Sequence, residues 1–198
     1  MEKIKLPGKE FIRKILAGER DFSGIELERE YNLSEDEQKH EELYRYLRKQ
    51  DFKNSPLIFK DSWFQNINFS PIPYSRWYGS SPQSPGLRFP HADCEGAYFV
   101  GCDFTSADLS YGNFREGSFN NSNLQYVDFN FSGFDDTDFH NARLVWTDLR
   151  EAKNLERTRN MERAYFFNVK VTQKEKIILE KILKKRSNFS LKENYEEQ

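Results

Sequence analysis

The sequence predicts an all-β solenoid, and three observations predict it. Between residues 87 and 151 an apolar residue recurs every five positions. A small or β-branched residue stands two positions before nearly every one of them. The chain also carries 18 phenylalanines against 2 methionines, as suits a fold needing one flat aromatic shape at many equivalent places.

The centres of the repeat are Phe89, Cys94, Phe99, Phe104, Leu109, Phe114, Phe119, Leu124, Phe129, Phe134, Phe139, Leu144 and Leu149. Two residues earlier stand Leu87, Ala92, Ala97, Cys102, Ala107, Gly112, Gly117, Ser122, Val127, Ser132, Thr137, Ala142 and Thr147. The position between is usually Asp or Asn. A helix needs apolar spacings of three and four, and a strand needs a longer run of alternation. Residues two apart in extended chain share a side. The other three of each five must turn the chain so that the next pair also points inward. Four such sides close a square coil of about 20 residues, with coils about 4.8 Å apart.

Ala107-Asp108-Leu109-Ser110-Tyr111 fits the unit A-(D/N)-L-x-x in full, and Cys102-Asp103-Phe104 and Ser122-Asn123-Leu124 fit it closely. The chain thus resembles the pentapeptide-repeat family over thirteen consecutive units. The resemblance implies a right-handed quadrilateral β-helix.

The flanks extend the pattern. Phe59, Phe64 and Phe69, with Leu57, Ser62 and Ile67 two back, read as further sides, as do Phe22 and Leu27. An insertion at about 30–56 contains a helical insertion near the amino-terminal end: Ser34 to Glu37 reads as a capping box, followed by a helix to about Gln50. A second insertion, 71–86, holds four prolines, two glycines and four serines and reads as a loop or irregular arm. The five-step fails at Asn154, where Leu155 and Met161 mark an irregular coil. Ala164-Tyr165-Phe166 and Val169-Lys170-Val171 resume it. Thr172 to Glu175 is a second capping box, opening a helix over about 172–186. Phe11, Ile12, Ile15 and Leu16 form a helical stripe closed by Gly18. Solenoids expose an apolar cross-section at each end, so both terminal helices are expected to be caps. Residues 1–186 form one solenoid domain on this reading, and 187–198 a frayed tail.

Charge is even overall, with 30 basic and 32 acidic residues, but not locally. Residues 87–151 carry 11 acids and 4 bases, and residues 152–198 carry 7 acids and 12 bases. No apolar run approaches the ~18 residues of a membrane span, and the start lacks a signal-peptide core, so the cytoplasm is the expected location. His40, His91 and His140 have no partner at a catalytic spacing, and there is no phosphate-binding loop or dinucleotide motif. No enzyme activity, cofactor or metal is expected. Cys94 and Cys102 point inward by register and read as packing.

Residues 20 apart stack, so the outward last positions gather Tyr126 with Trp146 and Tyr111 with Phe131, on neighbouring faces. Beside them Asp93, Glu95, Glu116, Asp135 and Asp136 make an acidic face offset only by Arg115. Rings left in water forgo roughly 1.5–3 kcal/mol each. Cover over at least two of the four is therefore expected from the arm at 71–86, the helix at 35–50, a second copy or a partner. The expected function is a non-enzymatic protein-interaction scaffold with Tyr111, Tyr126, Phe131 and Trp146 as its contact surface. The family resemblance supplies an alternative, a DNA-mimicking modulator of DNA gyrase or another DNA-binding protein, carried by the acidic face and an Asp108, Asp128, Asp148 ladder. The basic carboxy-terminal end supplies a third and weaker reading, nucleic-acid binding. The expected partner is a protein. A second copy, joined through a terminal helix or the aromatic corner, is another; a membrane is not expected.

Overall fold

Inward pairs two residues apart leave the backbone between them free to bridge to the coils on either side. In the computed structural model, which describes residues 3–32, 37–67, 69, 87–183 and 191–193, that is what the backbone does. Four ladders of parallel bridges run through the repeats. The first side carries Arg88, Asp108, Asp128, Asp148 and Lys170; the second carries Asp93, Asn113, Gly133 and Lys153. The third carries Tyr98, Ser118, Asp138 and Arg159, and the fourth Asp103, Asn123, Arg143 and Tyr165. Each bridge is made by hydrogen bonds such as Phe104 N–H to the Asn123 carbonyl and Asn123 N–H to that of Cys102, both 2.9 Å.

Where three residues align, the sides form short strands: β1 (Ile4–Leu6), β2 (Ile25–Leu27), β3 (Trp63–Gln65), β4 (Tyr98–Val100), β5 (Arg143–Val145), β6 (Tyr165–Phe167), β7 (Val169–Val171) and β8 (Leu191–Glu193). Strands β1 to β4 make one parallel sheet, and β5–β6 and β7–β8 are parallel pairs. The helices are α1 (Gly8–Leu16), α2 (Glu37–Arg48) and α3 (Gln173–Leu183).

All thirteen centres are buried. Phe99, Phe119 and Phe139 stack with centroids 5.4 and 5.6 Å apart, and Phe114 and Phe134 stack at 5.6 Å, close to the strand spacing. The inward small positions that carry hydroxyls do not strand them. Ser132 donates to the Leu109 carbonyl at 2.9 Å, and Thr137 and Thr147 donate to those of Phe114 and Leu124 at 2.7 Å. A buried hydroxyl with such a partner is tolerated in an apolar column. The polar residue between each inward pair closes the turn that follows. Asp103, Asp128 and Asp138 each accept the N–H two residues on, at 2.9 to 3.0 Å.

At the amino-terminal end β1 adds a rung that the repeat count does not anticipate, because only Leu6 of its three residues is buried. Helix α1 then turns Phe11, Ile12 and Ile15 onto the coils, with the Phe11 ring 5.0 Å from Phe22 and 6.2 Å from Phe64. Gly18 follows at φ 94°, ending the helix as expected. Helix α2 buries Leu43, Tyr44 and Leu47 and packs on α1. Its expected cap Ser34 lies outside the described residues. Arg20, two residues before Phe22, does not point inward as a repeat residue should. Its guanidinium donates to the Tyr46 hydroxyl at 3.0 Å and to Gln50 at 2.6 Å. At the other end Glu175 is buried and its carboxylate accepts the Thr172 N–H at 3.0 Å. Leu179 and Leu183 lie buried beneath α3. Within the segment expected to be a frayed tail, Leu191–Glu193 pairs with β7, because β7 offers an open edge for one more parallel rung.

The spacing between coils departs from 20 in two places. Asp93 bridges Ile58, 35 residues back, and the fifteen extra residues enter between Phe69 and Leu87. Those two occupy the fourth and first sides, where Phe104 and Ala107 stand one coil on: Phe69 N–H donates to the Asp103 carbonyl, and Asp108 N–H to that of Leu87. The arm at 71–86 itself lies outside the described residues. Downstream, Asp138 bridges Arg159 and Arg143 bridges Tyr165, spacings of 21 and 22. One residue is taken up at each of two 3₁₀ turns, Leu155–Arg157 and Met161–Arg163, which follow left-handed Asn154 and Asn160.

Candidate functional site

A coil of four short sides needs a sharp corner after each, and the last residue of each repeat makes it. That residue is left-handed throughout: φ is 59° at Tyr111 and Tyr126, 61° at Phe131 and 56° at Trp146. Glycine fits there, and at Gly96 a side chain would also collide, since a Cβ would come within 2.4 Å of the Asp61 carboxylate. Asparagine is the next best choice, and Asn121 and Asn141 follow that preference. An aromatic residue there stores about 1 kcal/mol or more of backbone strain.

Both aromatic columns border the first side. His91, Tyr111 and Phe131 form the corner after it, and Tyr126 and Trp146 the corner before it. His91 stacks on Tyr111 at 4.7 Å and Tyr111 on Phe131 at 4.8 Å, the latter pair inclined by only 10°. His91, which has no partner at a catalytic spacing, gives no sign in the sequence of its place in this stack. Tyr111, Tyr126 and Phe131 are 50%, 47% and 41% exposed, and Trp146 is half-buried. The helix at 35–50, one of the four candidates for their cover, packs on α1. Among the described residues Tyr126 has no ring partner, whereas the rings at the other corner stack.

Between these corners runs the ladder Asp108, Asp128, Asp148. Arg88 pairs with Asp108 and Arg150 with Asp148, each at 2.9 Å. Asp128 forms no ion pair among the described residues. Burial, together with the charges of Asp108 and Asp148, raises its carboxyl above the usual range, against the Asn130 N–H and Arg150, which lower it. A carboxyl raised by folding holds its proton more tightly in the folded chain. Stability therefore falls as pH rises from the ordinary carboxylate range through the raised value, and the Asp128 charge opposes folding at neutral pH.

The acidic face lies on the second side and its far corner, and it is not offset only by Arg115. Lys60 reaches Asp93 at 3.1 Å and Glu95 at 3.5 Å, and Arg115 reaches Glu95 at 3.5 Å and Glu116 at 2.7 Å. Arg157 meets Asp135 at 2.8 Å and Arg159 meets Asp136 at 3.0 Å. A count within 87–151 omits Lys60, Arg157 and Arg159, which adjoining coils bring alongside. The same contacts engage two arginines of the basic carboxy-terminal end.

Chemistry finds little purchase elsewhere. No group of three or more metal-ligating side chains occurs among the described residues, and none of their helices is long and apolar enough to cross a membrane. An open depression of about 600 Å³ beside β1 and β2 contains Glu26, Glu28 and Arg29. Three of its charged groups are engaged, Arg29 with Glu26 at 3.6 Å and Glu28 with the Gly8 N–H at 3.0 Å, and Lys5 lines it as well. Burial pushes the Cys94 thiol well up and that of Cys102 to about 12. Thiolate is the reactive form. A maleimide at about pH 8 should therefore label neither cysteine in the folded chain and both after unfolding. Labelling of the folded chain at the rate of a free thiol would contradict their burial.

Comparison with known proteins finds the same kind of repeat in the same stretch of the chain. The family model described as pentapeptide repeats, in eight copies, matches residues 88–121 and 118–153. No curated protein matches the chain. Among solved structures, a pentapeptide repeat protein from the cyanobacterium Cyanothece 51142 aligns at 14% identity and TM-score 0.38, over 83% of this chain and 95% of the other. One from the Arabidopsis thaliana thylakoid lumen aligns at 20% identity and TM-score 0.24, over 82% and 72%. QnrB1, a plasmid-mediated fluoroquinolone resistance protein, aligns at 15% identity and TM-score 0.27, over 64% and 83%. Residues 88–153 are thus a run of pentapeptide repeats, and over that third of its length the chain matches the pentapeptide-repeat family.

Proposed function

We propose that this chain is a non-enzymatic protein-interaction scaffold: a right-handed quadrilateral β-helix, capped by α1 and α3, that presents its first side to a partner protein. One observation carries the reading. Tyr111, Tyr126 and Phe131 occupy left-handed corners that favour glycine or asparagine, and they remain exposed. They add strain and withhold burial, so their presence answers to something other than the fold. A DNA-mimicking reading has the Asp108, Asp128, Asp148 ladder in its favour. It is weakened by Arg88 and Lys170 at the ends of that ladder and by the four cations threaded through the second side.

The test is the double variant Tyr126→Asn with Phe131→Asn. Its stability should stay within about 1 kcal/mol of the parent, because the relief of strain offsets lost ring contacts. Partner capture from the host's extract, quantified against the parent chain, should be lost. Capture retained at parental level would count against the first side as the working surface. A stability loss well beyond that margin would assign the rings to the fold instead.

A further inference from the structure

Three exposed rings away from the first side are met by the chain's own cations or rings, whereas exposed Phe167 has no such contact among the described residues. Trp63 lies 5.5 Å beneath the Lys3 ammonium and Tyr165 lies 5.7 Å from the Arg143 guanidinium. Tyr98 packs edge-on against Trp63 at 5.9 Å. At the base of the stack Arg20 lies 5.5 Å from the Tyr46 ring. The chain thus supplies its own cations to Trp63, Tyr165 and Tyr46. Tyr111, Tyr126 and Phe131 receive none among the described residues.

Tyr126, Asp128 and Phe131 belong to one turn of the coil, with the carboxylate midway along a side and a ring at each end. The carboxylates above and below are held by Arg150 and Arg88. Asp128 accepts the Asn130 N–H at 2.9 Å and forms no ion pair among the described residues, Arg150 acting on it only from its pairing with Asp148. An apolar partner laid across this side would bury that carboxylate without a counter-charge, which is unfavourable. An acidic partner would meet three carboxylates. A cation on a long methylene stem satisfies both requirements, since its stem covers ring faces and its head is drawn to them and to the carboxylate.

We propose that the first side receives a basic segment of a partner protein, one lysine or arginine of which lies between Tyr126 and Phe131 with its charged head on Asp128. The proposal rests on the first side being the docking surface. Burial first, then the charges of Asp108 and Asp148, raise the Asp128 carboxyl, in keeping with a carboxylate that a further cation would stabilise.

Three capped hexapeptides serve as probes in titration calorimetry against the full chain: alternating glycine with lysine, with norleucine or with glutamate. The lysine peptide should bind and the other two should not. Asp128→Asn should weaken lysine-peptide binding about tenfold or more, with an unchanged or raised melting temperature, since it removes a charge that folding already disfavours. Asp136→Asn makes the same charge change on the second side's corner and should weaken it by no more than about twofold. Equal losses in the two variants would mean unspecific charge attraction and would overturn the proposal. So would equal binding of the norleucine peptide, or no binding of the lysine peptide at millimolar concentration. If partner capture is lost in the double ring variant but kept in Asp128→Asn, the docking surface stands and its basic occupant falls. If capture survives in both, both readings fall.

Discussion

Replacing Phe119 with alanine should destabilise the chain by about 3–5 kcal/mol, as judged by the shift of its chemical denaturation midpoint. Phe119 is fully buried at the middle of the stack. Its ring meets Phe99 and Phe139 along its own column, and Phe104, Phe114 and Phe129 across the coil, all within 6.0 Å. Every neighbour is held by hydrogen bonds to the coil on either side, so the walls cannot collapse into the space left behind. Leucine, already the centre at Leu109, Leu124, Leu144 and Leu149, should be far milder at this position. A loss below about 1 kcal/mol for the alanine variant would contradict the close packing of the columns.

Phe11→Ala should have a comparable total effect and a different distribution. Phe11 is buried at the amino-terminal end, between α1 and the rings of Phe22, Phe59 and Phe64. Its removal loses about 3–5 kcal/mol of packing and loosens α1 from an apolar cross-section. In a stack where each coil touches only its neighbours, the damage should stay local. Amide exchange should accelerate in the coils that hold Phe22 and Phe59, while the coil around Phe139 keeps its protection. Uniform acceleration along the whole chain would show that the stack unfolds as one unit and that α1 is no separable cap.

What the sequence discloses follows from what is local. The alternation of a large and a small residue at a fixed step of five is written in adjacent residues. The sides, the buried columns and the stack of Tyr111 on Phe131 could therefore be counted directly. Features that depend on coils of unequal length could not. Trp63 lies against Tyr98, but the bridge between them spans 35 residues, so a step of 20 never brings them together. Lys60 and Arg159 reach the acidic face from coils outside the regular run. Rung β1 went unseen because Ile4 is exposed and Pro7 follows Leu6 at once. The left-handed corners were half visible. Gly96, Gly101, Asn121 and Asn141 announce them, while Tyr111, Tyr126, Phe131 and Trp146 at the same position mask the signal. The strain that makes those rings informative thus emerged only with the backbone.

The fifteen residues that enter between Phe69 and Leu87 leave the columns undisturbed. Phe69 still stacks on Phe104 at 4.8 Å, and Leu87 remains fully buried beneath Ala107. The coil therefore keeps time by sides completed, not by residues spent. The two single-residue additions near Asn154 and Asn160 obey the same rule on a smaller scale. Length can thus change at a corner with no penalty in phase, whereas one residue added within a side would turn its inward pair outward and break four hydrogen-bonded ladders beyond it. Descent with modification in such a chain should concentrate insertions at corners. An engineer wishing to graft a recognition loop has the same sites available, and the corner of Asn121 and Asn141, away from both aromatic columns, is the place to begin.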